Sequence, residues 1–234
     1  MIQLVAFLGN PGTEYSRNRH NAGRMLAEVL PFFDSLSWQK KYGGWYTAVD
    51  NGRIISSIQE RFPLDEIPAG QKNQESPNAK IHFLMPETYM NLSGKSVFGV
   101  ASFFKIRPEK ILLVHDELEL PLGTISLKFS GGLGGHNGLR SMKSVFGTAD
   151  FWRLRIGIGR PDDRKPGEGG RVGSGKNIAG WVLSDFSDTE WEMLVPVLDA
   201  GADLLMRVLV CEPETLLPYW AKKKISTEGQ HESR

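Results

Sequence analysis

Apolar residues fill positions 2–8 almost without a break, Ile2-Gln3-Leu4-Val5-Ala6-Phe7-Leu8, and stop at Gly9-Asn10-Pro11-Gly12. Such a run, bounded by turn residues, predicts a strand buried on both faces. Met25, Leu26, Val29, Leu30 and Phe33 then recur at the spacing of one helix face. Residues 45–49 and 53–58 flank Asp50-Asn51-Gly52, whose Asn-Gly step accepts positive φ, and so predict a hairpin. Residues 60–79 are polar with three prolines and read as a loop. Another strand is expected at 81–85. Ser93 is placed to cap a helix carrying Val97, Val100, Ala101 and Phe104. Residues 111–115 and 124–129 read as further strands.

The second half of the chain is more punctuated. Residues 131–138 contain five glycines and lead into a short helix around 139–145, followed by a strand at 153–158. Residues 161–177 are rich in glycine, proline and charge, hence a loop. Ser187-Asp188-Thr189-Glu190 has the form of a capping box. The helix after it carries Trp191, Leu194, Val195, Leu198, Leu205 and Leu209, with Pro196 expected to kink or split it. From Lys222 the chain is polar and expected to fray. Alternating strands and helices imply a single α/β domain over residues 1–221, with a mixed, mostly parallel twisted sheet flanked by helices, and a flexible tail over 222–234. In such a sheet ligands bind beyond the carboxyl ends of the strands. Asn10, Asn91, Asp116 and His136 all follow strands and are expected to gather in a cleft at one rim.

Composition narrows the class without naming it. The 234 residues are 40% hydrophobic and 24% charged, as in an ordinary globular protein. No apolar run is long enough to span a bilayer, and no basic stretch precedes the first apolar run, so neither a membrane span nor a signal peptide is expected. The one cysteine, Cys211, lies in an apolar helical context and excludes an intrachain disulfide. A cytoplasmic protein follows. A net charge of +1 does not advertise a nucleic-acid binder, so any such role has to rest on local charge.

The candidate chemistry is a set of amides around a His-Asp pair. His20, in Arg19-His20-Asn21 just before the first helix, reads as a helix cap unless a carboxylate orients it. Asp116-Glu117, at the end of a buried strand, supplies that carboxylate. An Asp on one ring nitrogen fixes the tautomer and stabilises the imidazolium formed when the other nitrogen takes a proton. Asn91, ahead of Ser93, either grips a substrate carbonyl or stabilises its own loop. His136 and His20 suggest a metal, but further ligands of suitable type and spacing are not evident. No Gly-x-Ser-x-Gly elbow is present. Water attack on an activated carbonyl fits best, with His as base, Asp as its orienter and no metal or cofactor.

Four blocks resemble the bacterial peptidyl-tRNA hydrolase family: Leu8 to Tyr15 with Arg19-His20-Asn21; Pro86 to Gly94; His115-Asp116-Glu117-Leu118 with Leu120-Pro121-Leu122-Gly123; and Gly134 to Leu139. Arg153 to Pro161 is a weaker fifth. The resemblance implies a monomeric enzyme that cleaves the ester between a peptide and the 3′ ribose of tRNA, recycling tRNA from prematurely released peptidyl-tRNA. It puts the base on His20, the orienting acid on Asp116, and discrimination of a blocked from a free α-amino group on Asn10. It puts substrate contacts on Tyr15, Tyr89, Asn91 and Asn137, a gating neighbour on His136, and tRNA phosphate contacts on Lys128, Arg140 and Arg155. Asn18 stands where Thr is usual and Tyr89 where Phe is common. The loops at 60–79 and 161–177 look longer than typical. The alternative is an RNA-binding relative that has lost hydrolysis. Retention of His20, Asp116, Asn10 and Asn91 together argues against it.

Overall fold

The N-terminal apolar run is strand β1 (Leu4–Phe7), and all four of its residues are buried. It is buried because both faces of the sheet are covered around it. The computed structural model describes residues 1–59, 79–161 and 175–225. Among these, eight strands form one sheet in the order β2 (Gln39–Lys41), β3 (Gly44–Asp50), β4 (Lys80–Pro86), β1, β5 (Ile111–Glu117), β7 (Trp152–Gly157), β6 (Thr124–Phe129) and β8 (Lys223–Lys224). The four central strands β4, β1, β5 and β7 pair in parallel, and both margins are antiparallel.

Alternation along the strands splits the core in two. Val5, Phe7, Phe83 and Val114 face α1 (Ala22–Glu28) and α6 (Asp188–Val210). Leu4, Ala6, Leu8 and Leu84 face α3 (Ser93–Phe104) and α4 (Asn137–Phe146). The partners of β1 lie later in the chain on either side of it, so the strand order reverses there. That is where an α/β sheet opens a crevice beyond its carboxyl edge. Helix α1 closes directly over it. A Cβ on Gly23 would sit 2.4 Å from the Val114 carbonyl oxygen and 2.7 Å from that of Leu8. No helix among the described residues is long and apolar enough to cross a membrane.

Several local expectations need correcting. The hairpin turn is not at Asp50-Asn51-Gly52 but at Tyr42-Gly43, both at positive φ, between β2 and β3. Asn51 instead opens helix α2 (Asn51–Gln59) and donates its N–H to the Ala79 carbonyl at 2.7 Å, while Ile54 is buried by the helical turn. The first helix stops at Glu28, short of Phe33, because Pro31 disfavours helical backbone just before it. Ser93 does not cap α3. It is the first helical residue, and the free Gly94 N–H is met at 3.0 Å by Ser141 Oγ from α4. A tertiary partner has replaced the local one.

Pro196 does not split α6, which runs unbroken with its Ser187 capping box in place. The missing N–H frees the carbonyl of Glu192, an exposed residue that water can serve. The last three residues of the loop expected at 161–177 belong to helix α5 (Gly175–Val182); residues 162–174 lie outside the described residues, as do 60–78. The polar tail begins as an edge strand: Lys223 and Lys224 pair with Ile125 and Thr124, and Ile225 N–H reaches the Gly123 carbonyl at 2.8 Å.

Candidate active site

The end of β1 turns at Gly9-Asn10, and hydrogen bonds hold that turn rigid. Asn10 N–H donates to Asn21 Oδ1 at 2.8 Å, and the Asn10 carbonyl accepts from Asn21 Nδ2 at 3.0 Å and from Arg24 at 3.2 Å. Arg24 also reaches the Pro86 carbonyl and Glu87, tying this turn to the loop after β4. Asn10 Oδ1 accepts from the Met90 N–H at 2.9 Å. The carboxamide is thereby oriented with its oxygen to the protein and its NH2 donor to the cleft.

A short 3₁₀ turn, Arg19–Asn21, precedes α1 and delivers His20 to the end of β5. His20 Nδ1 lies 2.9 Å from Asp116 Oδ1, with both side chains buried. The same oxygen is 3.0 Å from His136 Nε2. His136 caps helix α4, its Nδ1 accepting from the Gly138 and Leu139 N–H groups at 3.1 and 3.3 Å. An Nδ1 that accepts two backbone hydrogens is bare, so the ring proton is on Nε2 and is donated to Asp116. A third ring, His115, is fully buried and packs edge-on against His136 at 4.8 Å.

The electrostatics follow from this geometry. Burial alone would raise the Asp116 carboxyl, but the two imidazoles beside it hold it well below the usual carboxylate range. Burial pushes His20 down, and the attraction and hydrogen bond of Asp116 overcome it, so His20 titrates above its ordinary 6.5. Burial, with the His136 ring adding to it, keeps His115 well below that value and therefore neutral. The Asp116 charge orders the proton positions around it: His20 keeps its proton on Nδ1, and Nε2 is the basic atom facing the cleft. His20, Asp116 and His136 place three possible ligand atoms within 4.8 Å of one another. They do not fit a metal, because His136 Nε2 is committed as a donor and its Nδ1 is occupied by the helix cap.

Two cavities meet at His20. One, of about 450 Å³, is lined by Asn10, Tyr15, Tyr89, Met90 and Asn91. The other, of about 370 Å³, is lined by Asp116, Glu117, Gly134, His136, Arg140 and Arg160. His20, Asn137, Ala179 and Val182 line both, so the cleft is continuous across the imidazole. The structure thus brings together nine of the residues singled out in the sequence: Asn10, Tyr15, His20, Tyr89, Asn91, Asp116, His136, Asn137 and Arg140. His136 lies between Asp116 and the α4 cap, hydrogen-bonded to both.

The basic candidates divide. Arg140 is exposed on the cleft wall. Lys128 lines neither cavity and lies beside Gly131. Arg155 is engaged, 3.5 Å from Glu117 and bonded to Ser126 Oγ at 2.7 Å. The sequence reading missed the α5 wall. Ile178, Trp181 and Val182, at i, i+3 and i+4, were its available signal.

The chain is similar to known proteins over nearly its whole length. The sequence model of the family described as peptidyl-tRNA hydrolase matches residues 4–227. A peptidyl-tRNA hydrolase of Treponema pallidum (strain Nichols) is 43% identical over 227 residues, covering 96% of each chain. Among solved structures, a complex of peptidyl-tRNA hydrolase with N-propanol superposes with a TM-score of 0.69 at 32% identity, covering 93% of this chain and 91% of that one. The peptidyl-tRNA hydrolase of Acinetobacter baumannii gives 0.67 at 32% identity with the same coverage.

Proposed function

Because the chain belongs to the peptidyl-tRNA hydrolase family, a family of ester hydrolases, we propose that His20 is the general base for water attack on the ester joining a peptide to the 3′ ribose of tRNA. The observation that carries this reading is the double donation to Asp116 Oδ1, which leaves His20 Nε2 as the free basic atom where the two cavities meet. Nε2 takes a proton from water as the oxygen adds to the ester carbonyl carbon. Asp116 stabilises the imidazolium. The tetrahedral intermediate then collapses: the bond to the ribose 3′ oxygen breaks, that oxygen takes the proton from His20, and peptide acid and free tRNA leave.

The two cavities suit the two halves of the substrate. The amides of Asn10, Asn91 and Asn137, beside apolar Met90 and Val182, suit a peptide, and Tyr15 and Tyr89 offer rings to pack on. Arg140, exposed on the other side, suits a nucleotide phosphate. Asn10 presents an NH2 that donates to the carbonyl of a blocked amine and repels a free ammonium. We assign Asp116 to orientation and His136 to holding Asp116. The same reading makes the protein a cytoplasmic monomer recycling tRNA in translation without a metal.

The test is release of free tRNA from N-acetyl-aminoacyl-tRNA. Wild type is active and His20→Ala loses about 10²–10⁴-fold in kcat, the usual contribution of a positioned base. Equal rates would refute the assignment.

A further inference from the structure

Arg19 adjoins the proposed base, yet its side chain turns away from the cleft and is buried. One guanidinium nitrogen donates to the Ser184 carbonyl at 3.2 Å, to Ser184 Oγ at 2.6 Å and to the Asp185 carbonyl at 2.7 Å. Another contacts both oxygens of Glu190 at 2.8 and 2.6 Å. The plane lies 3.7 Å from the Trp181 ring centre. Backbone follows the same path: Arg19 N–H donates to the Ser184 carbonyl, and Asn18 bridges to Asp185 through both main chain and side chain.

The groups Arg19 grips have other duties. Glu190 also accepts the Ser187 N–H at 2.8 Å and so completes the capping box of α6. Trp181 donates its indole N–H to the Gly159 carbonyl at 2.9 Å, beyond the end of β7. Trp181 belongs to α5, and on either side of it Ala179 and Val182 wall both cavities opposite His20. A single side chain therefore links the turn bearing the base to the helix forming the far wall.

We infer that Arg19, acting through Trp181 and Glu190, is a positioning residue that sets the separation between His20 and helix α5, and so how tightly the cleft holds its substrate. This rests on the reading of His20 given above. Arg19 touches neither substrate nor His20's proton; its effect is on placement. Lysine at position 19 keeps the charge but loses the planar fork and the stacking face.

The experiment compares Arg19→Lys, Glu190→Gln and Trp181→Leu on N-acetyl-aminoacyl-tRNA, well below each variant's unfolding temperature. Each variant lowers kcat/KM roughly 10–100-fold, the scale set by loosened substrate placement, with most of the loss in KM. The acid limb of the pH profile stays where wild type has it. Arg19→Lys combined with Trp181→Leu is no worse than the poorer single variant, because the two act as one unit. If Arg19→Lys does not fold, Trp181→Leu carries the test, since it removes the platform and leaves the ion pair.

A lowered unfolding temperature with wild-type KM would overturn the inference, as would a shifted acid limb or losses that multiply in the double variant. Full activity in His20→Ala would overturn the base assignment itself. An inactive His20→Ala beside a wild-type KM in Arg19→Lys would overturn only the positioning role.

Discussion

At the scale of single residues, the site is governed by one buried charge with two imidazole donors. His20 titrates above 6.5, so the protonated pair contributes stability that is fully present below 6.5 and lost as pH rises through the raised value. For Asp116, held below 3.8, the contribution is present above 3.8 and lost as pH falls through the lowered value. Catalysis needs the opposite state of His20, the neutral one. The acid limb of kcat/KM is therefore expected above pH 6.5, and Asp116→Asn should move it down, because burial then acts unopposed, while kcat falls more than KM rises. A limb that stays in place on that substitution would remove Asp116 from the role of orienter. The identities of these residues and the pairing of His20 with Asp116 were legible in the sequence through the family resemblance, but the place of His136 was not. His20 and Asp116 stand 96 positions apart, and nothing in the local pattern says that His136 spends one nitrogen on a helix cap and the other on the same oxygen.

At the scale of elements, the readable parts were those whose reasons are local. Strand β1 declares itself by an unbroken apolar run, and α6 by its capping box. The misread parts have reasons elsewhere in the chain. Asn51-Gly52 is a good turn by itself but starts a helix that buries Ile54, and Ser93 needs no cap role because Ser141 reaches across from α4. Helix α5 follows a glycine-rich stretch and shows only a short apolar stripe, so the wall of the cleft went unseen. Helix α1 shows how narrow such tertiary margins are. Gly23→Ala forces a methyl against two backbone carbonyls, and overpacking of this kind costs about 1–3 kcal/mol. Urea unfolding should show that loss as a lowered midpoint with an unchanged slope. A wild-type midpoint would mean that α1 rides off the sheet without penalty.

At the scale of the whole molecule, a net charge of +1 gives no broad field to draw in a polyanion. Affinity for tRNA then depends on a few local cations, and KM should rise with salt while kcat holds. Arg140→Ala should raise KM and flatten that salt dependence, since Arg140 is exposed at the cleft. Arg155→Ala should leave the salt slope alone, because Arg155 is already paired with Glu117. Matching slopes for the two variants would contradict this division. Alternation of strands and helices foretold the α/β sheet and the gathering of polar residues beyond its strands. It could not foretell antiparallel margins on both sides, which depend on pairings such as that of Lys223–Lys224 with β6. The contact between Arg19 and Glu190 spans 171 residues. On the ribosome, His20 emerges long before Asp116 exists to polarise it, and longer still before Glu190 can draw α5 into place. Every copy of this protein is itself a peptide esterified to tRNA until its last codon is read. Its own order of synthesis withholds the orienting carboxylate through much of that period and the far wall for longer.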